Sequence, residues 1–104
     1  MSKTIVRYKV KPGMVDENEK LVRTVYAELA EVKPANFSYA TYKLEDGVSF
    51  VHIAEFTGQG KGPLSGIAAF AVFQQGIKDR CEELPVVSQG AEIGSYNGDL
   101  VFQD

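Results

Sequence analysis

The chain has no tryptophan, one histidine and one cysteine among its 104 residues. A lone cysteine, Cys81, excludes an intramolecular disulfide, and with a single histidine it offers no thiolate or imidazole cluster for a metal. Basic residues are also few: eleven Lys and Arg against fourteen Asp and Glu leave a net charge of −3, with no Lys/Arg stripe. Phosphate neutralisation supplies most nucleic-acid affinity, so nucleic acid is not an expected partner. No apolar run approaches the roughly 20 residues that span a bilayer. The opening MSKTIVRYKV lacks the apolar segment of a signal peptide and reads as a strand. These absences lead to an expectation of one cytoplasmic domain over residues 1–104, with no membrane partner and of ordinary domain size.

What is present is organised around Phe37 to Phe56, FSYATYKLEDGVSFVHIAEF. Two strand-like runs meet at Asp46-Gly47, a strong hairpin signal, because a type I′ turn needs positive φ at both central positions. That register sets Tyr42 opposite Val51 and Thr41 opposite His52. One face then carries Phe37, Tyr39, Thr41, Lys43, Phe50, His52, Ala54 and Phe56; the other carries Ser38, Ala40, Tyr42, Leu44, Val51, Ile53 and Glu55. Both are too apolar to face water, which predicts a central hairpin in a sheet covered on both sides.

The flanking segments alternate in period. Thr4 to Val10 has strand alternation, with Val6, Tyr8 and Val10 on one side, and Pro12-Gly13 ends it. From about Met14 to Val32, Leu21, Val22, Val25, Leu29 and Val32 make one helical stripe. Asp16, Glu17 and Glu19 sit early, where negative charge suits the helix dipole. A second helix is predicted from Pro63 to about Glu83, on the spacing of Ile67, Phe70, Phe73, Ile77, Cys81 and Leu84, closed by Pro85. Val86 to Tyr96 reads as a strand, Asn97-Gly98 as a turn and Asp99 to Phe102 as a short fifth strand. Strand-helix-strand repeated twice is the ferredoxin-like α+β arrangement βαββαβ. With both helices on one face of an antiparallel sheet, the other face needs a cover. A second copy of the chain, giving a homodimer, is the economical one.

On these residues the chain resembles the dimeric α/β barrels of the antibiotic-biosynthesis monooxygenase-like superfamily. The resemblance spans nearly the whole chain. It rests on VKPGMVDENEKLV opening the first helix, Phe37-Ser38-Tyr39, FVHIAEF, the segment PLSGIAAFAVFQQGIKDRCEELP and the closing Ile93-Gly94-Ser95-Tyr96. It implies a homodimer, with no bound cofactor, that oxygenates a small phenolic or quinol-type compound. The alternative is a non-catalytic small-ligand-binding or structural dimeric module. The haem-degrading branch is disfavoured, since the second helix has no histidine and the chain no tryptophan.

Candidate site residues follow from chemistry. His52 titrates near neutrality when unperturbed and could accept a phenolic proton; its plainer role is a strand histidine bonded to Thr41 or Tyr39. Tyr39, on the same face, could orient a ligand or stabilise its anion, or simply pack with a wet tip. Arg7 could balance a substrate anion, or stand exposed on its strand. Gly58-Gln59-Gly60-Lys61-Gly62 has the composition of an anion-cradling loop without a P-loop's spacing, which favours a plain connection. Phe70 and Phe73 read as core that could also wall an aromatic site, Cys81 as packing, and Asp79, Glu82 and Glu83 as a solvated helix face.

Overall fold

Strand alternation in the first ten residues is realised as β1 (Ser2–Val10), in a computed structural model that describes residues 2–96. A 3₁₀ turn at Pro12–Met14 leads into α1 (Val15–Val32). The helix stops where Lys33 turns left-handed, at φ 50°, and its N–H closes on the Leu29 carbonyl at 2.8 Å. Pro34 then prevents continuation. β2 (Phe37–Lys43) and β3 (Ser49–Phe56) pair antiparallel with Thr41 opposite His52 and Tyr42 opposite Val51, the register expected from the sequence.

The turn between them differs from a two-residue type I′ turn. Leu44 N–H closes the loop on the Ser49 carbonyl, and only Gly47 has positive φ, at 78°. Asp46 instead organises the corner through its carboxylate, which accepts the Val48 and Ser49 amides at 3.0 and 2.8 Å and the Ser49 hydroxyl at 2.6 Å. An Asx-type corner replaces a second left-handed residue.

The second helical region is shorter than its periodicity predicts. A 3₁₀ turn at Pro63–Gly66 precedes α2 (Ala68–Gln75), Gly76 breaks the helix, and α3 (Ile77–Arg80) is a single turn. α2 has no side-chain cap of its own. Glu28 on α1 supplies one, accepting the Ala68 and Ala69 amides at 3.1 and 2.9 Å, which satisfies orphan donors and ties the two helices together. The chain becomes extended at Cys81, not Val86, and β4 (Cys81–Ala91) ends before Ile93 and Tyr96. Pro85 lies inside this strand. Among the described residues β4 pairs only with β1, so no partner there calls for an amide on its other side, and the register slips between Arg7 and Lys9 opposite the proline. The turn at Asn97-Gly98 and the strand at Asp99 to Phe102 lie outside the described residues.

The strand order is β2-β3-β1-β4 with every neighbouring pair antiparallel, the ferredoxin-like α+β topology. The helices pack on one face. There Tyr8, Val10, Val25, Phe50, Ile67, Phe73 and Cys81 form the buried core. On the other face, the pairings set Ile5 beside Ile53 and place Arg7 between Val51 and Val86. Tyr42 and Val86 are well exposed there.

Candidate active site

His52 points from the centre of the sheet into the helix-facing core and is 5% exposed. Three aromatic rings surround its imidazole, those of Tyr8, Tyr39 and Phe73, with centroids 5.3, 5.7 and 5.6 Å away. Burial among them pushes its pKa from the ordinary 6.5 down to about 4, so the ring is neutral at physiological pH. Nε2 meets the Tyr8 hydroxyl at 2.8 Å, while Nδ1 meets the Tyr39 hydroxyl at 2.7 Å and Thr41 Oγ1 at 3.1 Å. Thr41 is bonded in turn to the Tyr26 hydroxyl at 2.8 Å. Burial raises the Tyr8 and Tyr39 hydroxyls above the usual phenol range, so both remain neutral.

The chain of contacts continues on the far side of Tyr8. Asn18 Nδ2 donates to the Tyr8 oxygen at 2.9 Å, and Arg80 Nε donates to Asn18 Oδ1 at 3.1 Å. Asn18 is fully buried and Arg80 is 3% exposed. The guanidinium also donates from Nη2 to the Phe73 carbonyl at 2.7 Å, near the end of α2 where helix carbonyls lack internal partners, and lies 5.0 Å above the Phe73 ring. Gly76 leaves room for it: a Cβ there would stand 3.0 Å from Arg80 Nη1.

A cavity of about 250 Å³ opens beside His52, between the sheet and α2. Val6, Ala54, Leu64, Phe70, Phe73, Ile77 and Val87 make it largely apolar, and Tyr8, Tyr39 and His52 form its polar end. It shares Thr4, Ala54, Leu64, Phe70 and Gln74 with an outer depression of about 550 Å³, which is bordered by Phe37, Phe56, Lys61 and Gly62. Lys61 and Gly62, the last two residues of the Gly58 to Gly62 connection, therefore stand at the rim of the outer depression.

Of the three residues singled out from sequence, His52 and Tyr39 come together and Arg7 does not. Arg7 is exposed on the opposite face of the sheet, aligned with Val51 and Val86, and cannot balance charge in this cavity. Sequence reasoning passed over Tyr8, Asn18 and Arg80 as members of the site. Cys81 is buried, its thiol pKa raised by burial, and it opens β4 as packing. Phe70 and Phe73 are both core and cavity wall. Among the described residues no group of three His, Cys, Asp or Glu side chains stands close enough to hold a metal ion, and no helix is long and apolar enough to cross a membrane.

Sheet, helices and cavity define a ferredoxin-like α+β protein with an aromatic, mostly apolar chamber under its helices. Solved structures with the same fold are named as antibiotic biosynthesis monooxygenases. One is a crystal structure of an antibiotic biosynthesis monooxygenase with 19% identity, covering 90% of this chain and 100% of its own, at a TM-score of 0.70. A putative antibiotic biosynthesis monooxygenase from Nitrosomonas europaea has 16% identity, the same coverages and a TM-score of 0.72. SnoaB from Streptomyces nogalater, described as a cofactor-independent oxygenase, has 16% identity over 90% of this chain and 94% of its own, at 0.62. At such identities the likeness is one of fold. No protein-family model and no curated protein matches the chain.

Proposed function

We propose that the chain is a cofactor-independent monooxygenase-like protein acting on a small phenolic or quinol-type compound bound in the inner cavity. The observation that carries this reading is the buried polar end, Tyr39 hydrogen-bonded to a neutral His52, inside an otherwise apolar chamber. An electron-rich ring fits the aromatic walls. Its oxygen meets the Tyr39 hydroxyl, which His52 Nδ1 polarises from behind. A donor held in a dry site stabilises a phenolate, so the substrate enters as its anion, leaving its proton in bulk water until the product water takes one up, and the anion is the form that gives electrons to dioxygen. The balance closes without another reactant: a phenol and one O₂ yield a quinone and one water. Four electrons and two hydrogens come from the substrate.

His52 takes a different part here from the proton acceptor expected from sequence. Both of its nitrogens are bonded within the protein, so no imidazole lone pair faces the ligand. The same fact favours the second reading, a module that binds such compounds without turnover. Oxygen uptake by the purified protein with a panel of phenols and quinols separates the two. Turnover that falls about a hundredfold or more in Tyr39→Phe supports the oxygenase, since removing one anion-stabilising donor costs that much. Ligand binding without oxygen uptake supports the binding module.

The homodimer belongs to the same proposal. Ile5, Tyr42, Val51, Ile53 and Val86 share the sheet face opposite the helices. A second copy packed sheet to sheet would bury it. Native mass spectrometry tests both parts together. A dimer retaining an aromatic adduct supports them, and a stable monomer removes the sheet-to-sheet partner.

A further inference from the structure

The hydrogen-bond chain through the core has a direction, and it starts at the one member that cannot accept. A guanidinium carries only donors. Among the described residues no carboxylate pairs with Arg80, whose Nε meets an amide oxygen instead. That contact decides which way round Asn18 lies: Oδ1 faces Arg80, so Nδ2 faces Tyr8 and must donate to it. Having accepted from Asn18, the Tyr8 hydroxyl has one hydrogen to place, and its remaining polar partner among the described residues is His52 Nε2. An Nε2–H at that point would leave a buried hydroxyl hydrogen without an acceptor, which is costly. An imidazolium would do the same and would add a buried charge. The proton of the neutral ring is therefore on Nδ1, 2.7 Å from the Tyr39 oxygen and 3.1 Å from that of Thr41.

We infer that Arg80 and Asn18 are positioning residues that lock His52 as its Nδ1–H tautomer, which makes Tyr39 the proton donor the cavity presents to its ligand. The part concerning a ligand rests on the reading of this cavity as the functional site; the tautomer does not. Tyr39 cannot give its hydrogen to an imidazole that is already donating to it, so that hydrogen is available to a ligand oxygen. The ligand class narrows accordingly to compounds with a hydrogen-bond acceptor at the inner end, a phenolate or a carbonyl oxygen. The network holds one buried cation and no anion, a balance that also favours an anionic oxygen at its far end.

The chain has one histidine, so its ring nitrogens can be observed without ambiguity in ¹⁵N-labelled full-length protein. At neutral pH the expected spectrum shows a protonated, pyrrole-like Nδ1 and an unprotonated, pyridine-like Nε2. The reverse order, an averaged pair of signals or two protonated nitrogens would overturn the inference. Asn18→Asp tests the origin of the lock. A carboxylate accepts from Arg80 but cannot donate to Tyr8, so Tyr8 turns its hydrogen to residue 18. Nε2 then loses its donor, and the ring moves to Nε2–H or takes a second proton. A folded Asn18→Asp protein with the wild-type spectrum would remove Asn18 from the device. Tyr8→Phe, which keeps the ring and deletes the donor to Nε2, provides the same readout if the aspartate variant does not fold. Its expected result is a shift away from pure Nδ1–H, and an unchanged spectrum counts against the lock. Failure of the oxygenase reading would appear only in oxygen uptake and would leave these spectra as they are.

Discussion

Acid should weaken this fold through His52 from about pH 6.5 downward. The unfolded chain binds a proton on His52 near pH 6.5, whereas the folded ring, buried among Tyr8, Tyr39 and Phe73, resists it until about pH 4. A folded pKa below the unfolded one means that the stabilisation is complete above 6.5. It declines as pH falls through the window and is fully lost below about 4. The interval corresponds to about 3 kcal/mol, with a slope near 1.4 kcal/mol per pH unit in its middle, a sizeable share of a small domain's stability.

His52→Gln isolates the effect. Its side-chain amide can still accept from Tyr8 and donate to Tyr39, yet it does not titrate. Urea unfolding of both proteins, followed by far-ultraviolet circular dichroism at fixed concentration from pH 7.5 to 4, gives the difference directly. Wild type should lose about 3 kcal/mol relative to the variant over that range. Glu19, whose pKa is lowered chiefly by its hydrogen bond to Lys43, loses its contribution as pH drops below 4.5, but equally in both proteins. Asp46, held at about 2 by Ser49 and Val48, loses its contribution only below 3.8. A stability difference that stays flat with pH, or that moves in favour of wild type on acidification, refutes the reasoning.

Two further substitutions bear on the support beneath the network. Phe73→Ala should cost about 3–5 kcal/mol in urea unfolding, since it opens a void in the core and removes the ring against which Arg80 lies. Gly76→Ala should reverse the usual sign of a glycine-to-alanine change in a helical region. Its Cβ would press on a pinned guanidinium 3.0 Å away, so we expect a loss of roughly 1 kcal/mol and a lower melting temperature instead of the ordinary gain.

The fold was legible where one physical rule governed a segment. Alternation and the Asp46-Gly47 pair set the register of β2 against β3 even though the turn took another form, because the count of residues between the strands decides pairing and the corner chemistry does not. The second helical region was misread where two rules competed. Cys81 and Leu84 continue the helical spacing from Ile77, yet Cys81 is the first residue of an edge strand. Helix-period and strand-period patterns cannot be told apart over so few residues. Pro85, read as a helix stop, is equally at home on a strand paired on one side, which is how β4 stands among the described residues, and only its three-dimensional position reveals this.

The site was half legible for a related reason. His52 drew attention as the lone histidine, and Tyr39 followed from the hairpin register. Asn18 and Arg80 carried a signal too. Asn18 lies three and seven residues before Leu21 and Val25, and Arg80 three and seven after Ile77 and Phe73, so both are polar residues on otherwise apolar stripes. A polar group in such a position either faces solvent at a helix end or is buried with a partner. Each partner here lies on another element: Arg80 on α3 serves Asn18 on α1, which serves Tyr8 on β1, which serves His52 on β3. No local pattern links them. A core of this size would be simpler to stabilise with leucine at those positions, because a buried cation must recover its hydration through every contact it makes. Four elements each give up an apolar position to one connected chain that ends at a cavity, an arrangement that stability alone does not call for and that the proposed part of Tyr39 does.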